Sequence, residues 1–288
     1  MAAKTLRLLM PQWQGGNNPI YPLGAALMAW LAPPGGDPLV EVPVKPIDGS
    51  SLALEDGLME RKALLDQLRA ARNIIEAYAP DRLVVFGGDC LVAQAPLSYL
   101  NERYGGELGV LWIDRHPDLK SPAEAVNGHT MVLRHLLGEG DSGFCAEVKH
   151  PISPARVMLA GLGSTQAAED EVIQRLGLRK AGAAELAENS EPVSQWIQET
   201  GLKHLAVHLD VDVLSPKQFR SLQSGNPDQD PAAVFRTGEM TFPALVRLLA
   251  DVAGQAEIVG LVLAEHMPWD SFNLQKMLAG LPILNGGS

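Results

Sequence analysis

Four apolar runs of the sequence are each followed by side chains that can bind metal ions or transfer protons. The runs at 83–86 and 108–113 are followed by Gly-Gly-Asp-Cys and by Asp-Arg-His-Pro-Asp. The runs at 205–209 and 258–263 are followed by Asp-Val-Asp and by Ala-Glu-His-Met-Pro. Carboxylate, imidazole and thiol groups are metal ligands, and the first two also act as general acids and bases. The four endings therefore point to metal binding.

If the four runs are parallel strands, their endings meet at one edge of the sheet, where ligands bind. The titratable side chains that would gather there are Asp89, Cys90, Asp114, His116, Asp118, Asp210, Asp212 and Glu265. So many carboxylates repel one another unless a cation lies among them. In an extended segment alternate residues point to the same side, so Asp-x-His-x-Asp and Asp-x-Asp can face a common ion. We expect a divalent metal, and two ions that share Asp114 and Asp210 would neutralise the cluster more completely than one.

Each motif taken alone also has a simpler explanation. A lone Asp after a strand is commonly the N-cap of the next helix, and a lone histidine such as His116 is more often a hydrogen-bonded polar residue than a ligand. Four such motifs, each at the end of a different strand, favour the metal site instead. Ligation by carboxylates and one imidazole suits Mn²⁺, Zn²⁺ or Fe²⁺ better than an isolated Ca²⁺.

The elements that must position these residues follow from hydrophobic periodicity. Short apolar runs alternate with helical periods, which predicts a parallel sheet covered by helices. The clearest helix spans 62–78, where apolar residues repeat at the spacing of one helix face. Runs rich in Val, Leu and Ile predict strands that are buried on both faces. The predicted strands are 5–10, 39–44, 83–86, 108–113, 157–160, 205–209 and 258–263, and the other helices are at 23–32, after Cys90, from about Thr130, and at 169–176, 193–200 and 242–252.

This alternation predicts the α/β fold class, a three-layer α/β/α arrangement around a central, mostly parallel sheet. No stretch has the length and polarity of an interdomain linker, so we expect one domain over residues 1–288. The segments 48–60 and 222–238 are long enough to be surface loops.

The composition of the chain argues against two classes of partner, nucleic acids and membranes. The chain carries 23 Lys and Arg against 34 Asp and Glu, a formal net charge of −11 without a basic cluster, which argues against a nucleic-acid partner. The longest apolar stretch, near 23–32, is shorter than the roughly 20 residues of a spanning helix, and the N-terminus has no signal-peptide pattern. We expect a cytoplasmic protein without a membrane partner. Two cysteines, Cys90 and Cys145, cannot form a disulfide framework.

The motifs in their order resemble those of the ureohydrolase family, which includes arginases and agmatinases. Gly-Gly-Asp-Cys resembles the family's Gly-Gly-Asp-His, and Asp-Arg-His-Pro-Asp resembles its Asp-Ala-His-Ala-Asp. Asp-Val-Asp followed by Ser215-Pro216 resembles its Asp-Val-Asp with a later Asp-Pro. The segments 127–129 and 265–268 resemble Asn-x-His-Gly and Glu-Val-x-Pro. The resemblance runs from about Leu83 to Pro268 and implies an arginase-like fold and a homo-oligomer.

The resemblance also implies a binuclear metal site. One ion would be held by Asp114, His116, Asp210 and Asp212, and the second by Asp118, the bridging Asp114 and Asp210, and residue 90. The family has histidine at this last position, whereas this chain has Cys90. A thiolate is a softer ligand, which shifts the preference from Mn²⁺ toward Zn²⁺ or Fe²⁺ or leaves the second ion weakly held. Cys90 could instead be an inert apolar residue at the start of a helix.

The activity that the resemblance implies is hydrolysis of a linear C–N bond in a guanidino or amidine compound, with release of urea. Asp118 would hydrogen-bond the hydroxide nucleophile, and His129 would pass a proton to the leaving amine. Glu265 would pair with the planar guanidinium, which presents a fork of donors. His129 has an alternative role as a residue at the start of a helix.

The implied substrate contacts at Asn127, Lys120 and Gln166 depart in part from the family pattern. Lys120 is a cation where a polar amide is expected, and Gln166 replaces an acidic contact to an α-amino group. These departures argue against plain L-arginine. Lys120 favours a carboxylate-bearing or modified guanidino compound, such as an N-hydroxylated arginine, or it is a solvated surface lysine. Two other functions stay open, a non-catalytic binding or regulatory relative and a metal-dependent amidase.

Overall fold

The computed structural model describes residues 3–228 and 237–279, and its centre is an eight-stranded parallel sheet. The strands of this sheet are β1 (Thr5–Met10), β2 (Leu39–Glu41), β5 (Arg82–Gly87), β6 (Gly109–Ile113), β7 (Val157–Ala160), β8 (Arg179–Ala181), β9 (His204–Asp210) and β10 (Glu257–Ala264). Their order is β2-β1-β5-β10-β9-β6-β7-β8, and every neighbouring pair is parallel. A separate short hairpin consists of β3 (Leu54–Glu55) and β4 (Leu58–Met59).

Helices cover both faces of the sheet. They are α1 (Tyr21–Leu31), α2 (Arg61–Tyr78), α3 (Gln94–Arg103), α4 (Val132–Leu136), α5 (Ser142–Ala146), α6 (Ala167–Leu176), α7 (Ala183–Glu188), α8 (Glu191–Thr200), α9 (Phe242–Ala253) and α10 (Trp269–Ala279). Apolar residues of α2 to α6 pack in one core cluster, and those of α7 to α9 pack in another. The predicted three-layer α/β/α class is confirmed.

The central strands divide their side chains between the two core clusters with a period of two. On β6, Val110 and Trp112 belong to the first cluster, whereas Leu111 and Ile113 belong to the second. All of β6 is buried, because a parallel strand between two helical layers has no solvated face. This alternation fixes which face of the sheet each side chain occupies, including those near the carboxyl ends.

Helix α2 matches the predicted 62–78 segment closely. Its buried stripe includes Leu64, Leu68 and Ile75, and the helix ends where Ala79 adopts a left-handed φ of 46° before Pro80. Proline cannot continue the helix, so the stop is set locally.

Several short elements differ from the expectations. The second strand stops at Glu41 instead of 44, and the predicted 48–60 loop contains the β3–β4 hairpin. The elements β8, α5, α7 and α10 were not predicted, because they are short or lack a buried apolar stripe. Of the predicted 222–238 loop, residues 229–236 lie outside the described residues. Within the described part of the chain, no helix has the length and apolarity to cross a membrane.

Candidate metal centre

The four strands with metal-binding endings are consecutive in the middle of the sheet. Their order is β5-β10-β9-β6, and all of them run in the same direction. Their carboxyl ends therefore form one continuous edge, as the sequence predicted, and an edge of this kind is where open α/β sheets bind ligands.

The first cluster at this edge, which we call the outer group, consists of Asp114, His116, Asp210 and Asp212. One ligand atom from each residue lies within 4.8 Å of all the others. The Nδ1 atom of His116 is 3.1 Å from Asp212 Oδ2 and 3.6 Å from Asp114 Oδ1. The three carboxylates are buried, whereas the His116 side chain is 47% exposed. The structure thus brings together all four residues predicted for one ion, with one side open to solvent.

Local hydrogen bonds orient two of these carboxylates at the ends of their strands. Asp114 Oδ1 accepts a hydrogen bond of 2.6 Å from the His116 N–H, and Asp210 Oδ1 accepts one of 2.8 Å from the Asp212 N–H. The indole Nε1 of Trp112 donates to Asp114 Oδ2 at 3.2 Å. Each aspartate therefore caps the turn that follows its strand and faces the cluster at the same time.

The second cluster, which we call the inner group, consists of Cys90, Asp114, Asp118 and His208. Their ligand atoms also lie within 4.8 Å of one another, and all four residues are buried. A third, overlapping set joins Cys90 with Asp210 and Glu265, and the Cys90 thiol donates to Asp210 Oδ2 at 3.1 Å. Of the residues predicted for the second ion, Cys90, Asp114 and Asp118 therefore lie in the inner group, and Asp210 reaches them only through the overlapping sets.

Sequence reasoning missed His208. It lies inside the apolar run of β9 and was assigned to the strand core. The signal that could have found it is alternation, because residues two apart in a strand share a face and Asp210 follows at that spacing.

The electrostatics of the edge are unfavourable for bare carboxylates. Burial, with the Asp212 charge next in size, raises the pKa of Asp114 to about 7 and the pKa of Asp210 well above its ordinary value. Burial and the Asp114 charge raise the pKa of Asp118 in the same way, and burial with the Asp210 charge raises that of the Cys90 thiol. Burial and mutual repulsion therefore favour the neutral form of these groups unless a positive charge lies among them.

The outer group contains one source of positive charge. Burial alone would lower the pKa of His116, but the Asp212 and Asp114 carboxylates raise it to about 11. In return, His116 holds the pKa of Asp212 below its ordinary value despite burial. The carboxylates around His116 thus favour positive charge at this position, which is the charge that a metal ion would supply.

The residues fit a divalent metal on two independent observations. Asp118 Oδ2 and Asp212 Oδ1 are buried and have no hydrogen-bond partner among the described residues. The same is true of both ring nitrogens of His208. Buried polar atoms without partners are costly, and carboxylate, imidazole and thiol atoms are ligands for Mn²⁺, Zn²⁺ and Fe²⁺. A metal ion would satisfy these atoms and offset the repulsion between the carboxylates.

His129 and Glu265 lie together beside the metal ligands. His129 Nδ1 is 2.7 Å from Glu265 Oε1, and although burial alone would lower the pKa of His129, the Glu265 charge raises it. Glu265 has a left-handed φ of 63° and Asp118 one of 49°. The Glu265 N–H donates to the Gly88 carbonyl at 2.7 Å, and the Asp118 carbonyl accepts from the Arg134 N–H at 3.3 Å. This conformation is strained for a non-glycine residue and persists only where the surrounding structure holds it, as these hydrogen bonds do.

Asp89 does not join the described ligand groups, although it was expected at the edge. Its buried carboxylate accepts hydrogen bonds from Gln12 Nε2 at 2.9 Å, the Gly16 N–H at 3.2 Å and the Leu91 N–H at 3.1 Å. Burial raises its pKa to about 6. Here the simpler explanation holds, since Asp89 caps the turn at Cys90 and ties the 12–16 loop to the edge.

The predicted substrate contacts lie in two places. Lys120 is half-buried, and its N–H donates to the Thr130 carbonyl at 3.0 Å; the Thr130 N–H donates to the Asn127 carbonyl at 3.2 Å. Both residues therefore flank the segment that carries His129. Gln166 is exposed at the start of α6, where its N–H donates to the Glu169 carboxylate at 2.8 Å. The backbone of Gln166 caps this helix, and a substrate contact by its side chain stays a prediction.

The sequence matches the model of the Arginase family over residues 41–222. The arginase of Staphylococcus aureus strain COL is 30% identical over 143 residues, 46% of this chain and 46% of that protein. The arginase of Coccidioides posadasii is 28% identical over 165 residues, 51% of this chain and 50% of that protein. The chain therefore spans about half the length of the curated relatives it matches.

Solved structures resemble the whole fold. The arginase of Bacillus caldovelox superposes with a TM-score of 0.77 at 20% identity, covering 92% of this chain and 91% of that one. The proclavaminate amidino hydrolase of Streptomyces clavuligerus superposes with a TM-score of 0.66 at 19% identity, covering 93% and 84%. At these identities the likeness concerns the fold, so the site must be argued from its own residues.

Proposed function

The chain belongs to the arginase family, and from the arrangement of its sheet edge we propose that it is a metal-dependent hydrolase that cleaves a linear C–N bond in a guanidino or related amidine compound and releases urea. The observation that carries the proposal is the pair of overlapping ligand groups, outer and inner, that share Asp114 beside the His129–Glu265 pair.

The proposal includes two divalent ions. The outer group would hold one, and Cys90, Asp118 and the shared aspartates Asp114 and Asp210 would hold the other. Mn²⁺ suits the carboxylate-rich outer group, whereas the Cys90 thiolate favours Zn²⁺ or Fe²⁺ in the inner one. When bound, such ions supply a hydroxide nucleophile near neutral pH and stabilise negative charge in the transition state.

Three side chains would carry the rest of the chemistry. Asp118, whose Oδ2 is unpartnered within the described residues, would accept a hydrogen bond from the nucleophile. Glu265 holds the Nδ1 side of His129, which leaves Nε2 as the nitrogen that gives a proton to the leaving amine. Glu265 would also accept hydrogen bonds from the guanidinium, because a buried carboxylate is a strong partner for a charged planar donor.

The substrate is proposed at the level of a class. Asn127 and Lys120 flank His129, and with Gln166 they would contact the part of the substrate remote from the guanidino group. Lys120 is half-buried, and its ammonium group suits a carboxylate-bearing or modified guanidino compound, such as an N-hydroxylated arginine, better than plain L-arginine. The named relatives include an arginase and an amidino hydrolase for proclavaminate, so the fold does not select among guanidino substrates.

The proposed setting is a cytoplasmic homo-oligomer that binds neither nucleic acid nor membranes. The acidic charge balance of −11 and the two unpaired cysteines support the setting. Size-exclusion chromatography with light scattering would test the oligomer.

The deciding experiment combines metal analysis with product identification. Protein purified without chelator is loaded with Mn²⁺, Zn²⁺ or Fe²⁺, desalted and assayed for urea with arginine, agmatine, N-hydroxyarginine and guanidino acids. We expect two ions per chain and urea release that stops on chelation and returns with metal. A carboxylic acid product instead of urea would indicate the amidase, and bound metal without turnover of any guanidino compound would indicate the non-catalytic relative.

A further inference from the structure

We propose that His208 is a metal ligand and that it joins Cys90, Asp114 and Asp118 in holding the second ion, a borderline divalent cation such as Zn²⁺. The inference rests on the proposed binuclear hydrolase and deepens it, because it assigns a nitrogen ligand to the second ion.

The first observation is that the His208 imidazole is fully buried and has no hydrogen-bond partner on either nitrogen within the described residues. His135 is equally buried and its Nε2 also has no partner within the described residues, but its Nδ1 lies 3.2 Å from Gln94 Oε1, so only His208 lacks a partner on both nitrogens. A buried polar group without a partner needs an explanation, and a bound ion is one of the usual ones.

The second observation is that the fold fixes the position of this side chain. In the sheet register, His208 of β9 lies opposite Trp112 of β6, and the two rings stack with centroids 3.7 Å apart and an angle of 19°. Alternation along β9 puts His208 on the same face as Ala206 and Asp210. This face otherwise packs apolar residues such as Trp112 and Ala206. Packing alone therefore does not call for an imidazole at position 208.

The third observation is the geometry of the donors. The four ligand atoms lie within 4.8 Å of one another. An ion with bonds of about 2.0–2.3 Å to nitrogen, oxygen and sulfur joins atoms up to about 4.6 Å apart. One ion can thus reach all four residues after small side-chain adjustments.

The donor chemistry separates the inner group from the outer one. A sulfur, a nitrogen and two carboxylate oxygens form a softer set than three carboxylates with one imidazole, and imidazole and thiolate together favour Zn²⁺ or Fe²⁺ over Mn²⁺. The residue at position 90 is a thiol, and His208 supplies an imidazole to the same ion from the neighbouring strand. We therefore expect the two ions to differ in their metal preference.

The test measures metal content and Co²⁺ spectra of the full chain with two matched variants. His208→Phe keeps a flat ring against Trp112 and removes both nitrogens. His135→Phe makes the same change at another buried histidine, which stacks on Phe144 with ring centroids 4.8 Å apart and lies outside the ligand groups. Zn²⁺ stoichiometry and affinity are measured by elemental analysis and chelator competition, and Co²⁺ absorption reports the thiolate charge-transfer and ligand-field bands.

We expect two Zn²⁺ per wild-type chain and per His135→Phe chain. His208→Phe should retain one ion and bind the second at least about 100-fold more weakly, since the loss of an outer partner of a ligand already costs 10–100-fold. Its Co²⁺ ligand-field bands should also change. Two ions with unchanged affinity and spectra in a folded His208→Phe protein would overturn the inference and leave the proposed function standing. Fewer than two ions in the wild type would overturn both. Should His208→Phe not fold, the smaller change His208→Gln decides by the same criteria.

Discussion

The outer and inner groups share Asp114 at one sheet edge, yet they differ in burial and in ligand chemistry. The outer group has three buried carboxylates and a His116 side chain that is 47% exposed. The inner group is buried throughout and adds a thiol and the imidazole of His208. The outer group comes from two short motifs, each with ligands two residues apart. The inner group draws on the ends of β5 and β6 and on the body of β9. Local spacing therefore builds one half of the site, and tertiary packing builds the other.

The largest expected effect comes from breaking both groups at once with Asp210→Asn. Asp210 belongs to the outer group and accepts the hydrogen bond of the Cys90 thiol, so its charge acts on both. We expect the variant to lose most of its bound metal and to lose urea release by more than about 100-fold, the upper end of what a change around a metal ligand costs. Elemental analysis and the urea assay measure the two effects.

The control for this variant is Asp66→Asn. Asp66 pairs with Lys62 on the exposed face of α2, and a surface ion pair of this kind contributes at most about 1 kcal/mol. Asp66→Asn should keep its metal and its activity. Full metal content in Asp210→Asn would be incompatible with a shared binuclear site.

A smaller effect is expected from His116→Ala, which alters the outer group alone. His116 is the exposed member and the one imidazole of that group. We expect the outer ion to bind at least about 100-fold more weakly while the inner ion remains, since the loss of an outer partner of a ligand already costs 10–100-fold. Metal titration with Mn²⁺ and Zn²⁺ in parallel would measure this, and equal loss of both ions would show that the two groups do not bind independently.

The main features of the fold were predictable because buried parallel strands carry a strong local signal. The runs that became β5, β6, β9 and β10 are dense in Val, Leu and Ile, and α2 repeats its apolar residues at helical spacing. Edge strand β8 spans three residues and buries one of them, so its sequence contains too little periodicity to identify it.

The site was predictable where its ligands are close in sequence and not where they depend on packing. The two-residue spacing of Asp114 and His116, and of Asp210 and Asp212, predicts that each pair points to the same face. His208 sits among apolar neighbours, and its relation to Cys90 depends on which strands become adjacent in the sheet. Asp89 is the opposite case, because its motif predicted a position among the metal ligands. Its carboxylate instead accepts hydrogen bonds from Gln12 and from the Gly16 backbone, so it acts as a cap.

A third change exchanges the chemistry of the inner group without removing a ligand. Cys90→His replaces the thiol by a harder imidazole, so the preference of the inner ion for Zn²⁺ over Mn²⁺ should fall by about tenfold, or about 1.4 kcal/mol. Competition between the two metals, followed by elemental analysis, measures the shift. Cys145→Ser is the matched control, because Cys145 is half-buried outside the ligand groups and its sulfur accepts from the Gly140 N–H at 3.1 Å. An unchanged preference in Cys90→His would mean that Cys90 is a packing residue.

The smallest effect concerns His135, a buried imidazole outside the ligand groups. Burial lowers its pKa to about 3, below the value of about 6.5 in an unfolded chain, so the unfolded state binds a proton between these values that the folded state excludes. Stability is therefore lost as the pH falls through 6.5. Between pH 7.5 and pH 6.0, His135 should lower the free energy of unfolding by about 0.8 kcal/mol. Denaturant unfolding measures the free energy of unfolding of metal-loaded wild type and His135→Phe at both pH values. The decrease from pH 7.5 to 6.0 should be larger in the wild type by about 0.8 kcal/mol. A parallel pH profile in the two proteins would show that the pKa of His135 is the same in the folded and unfolded states, and His135 would then be a poor reference for the buried His208.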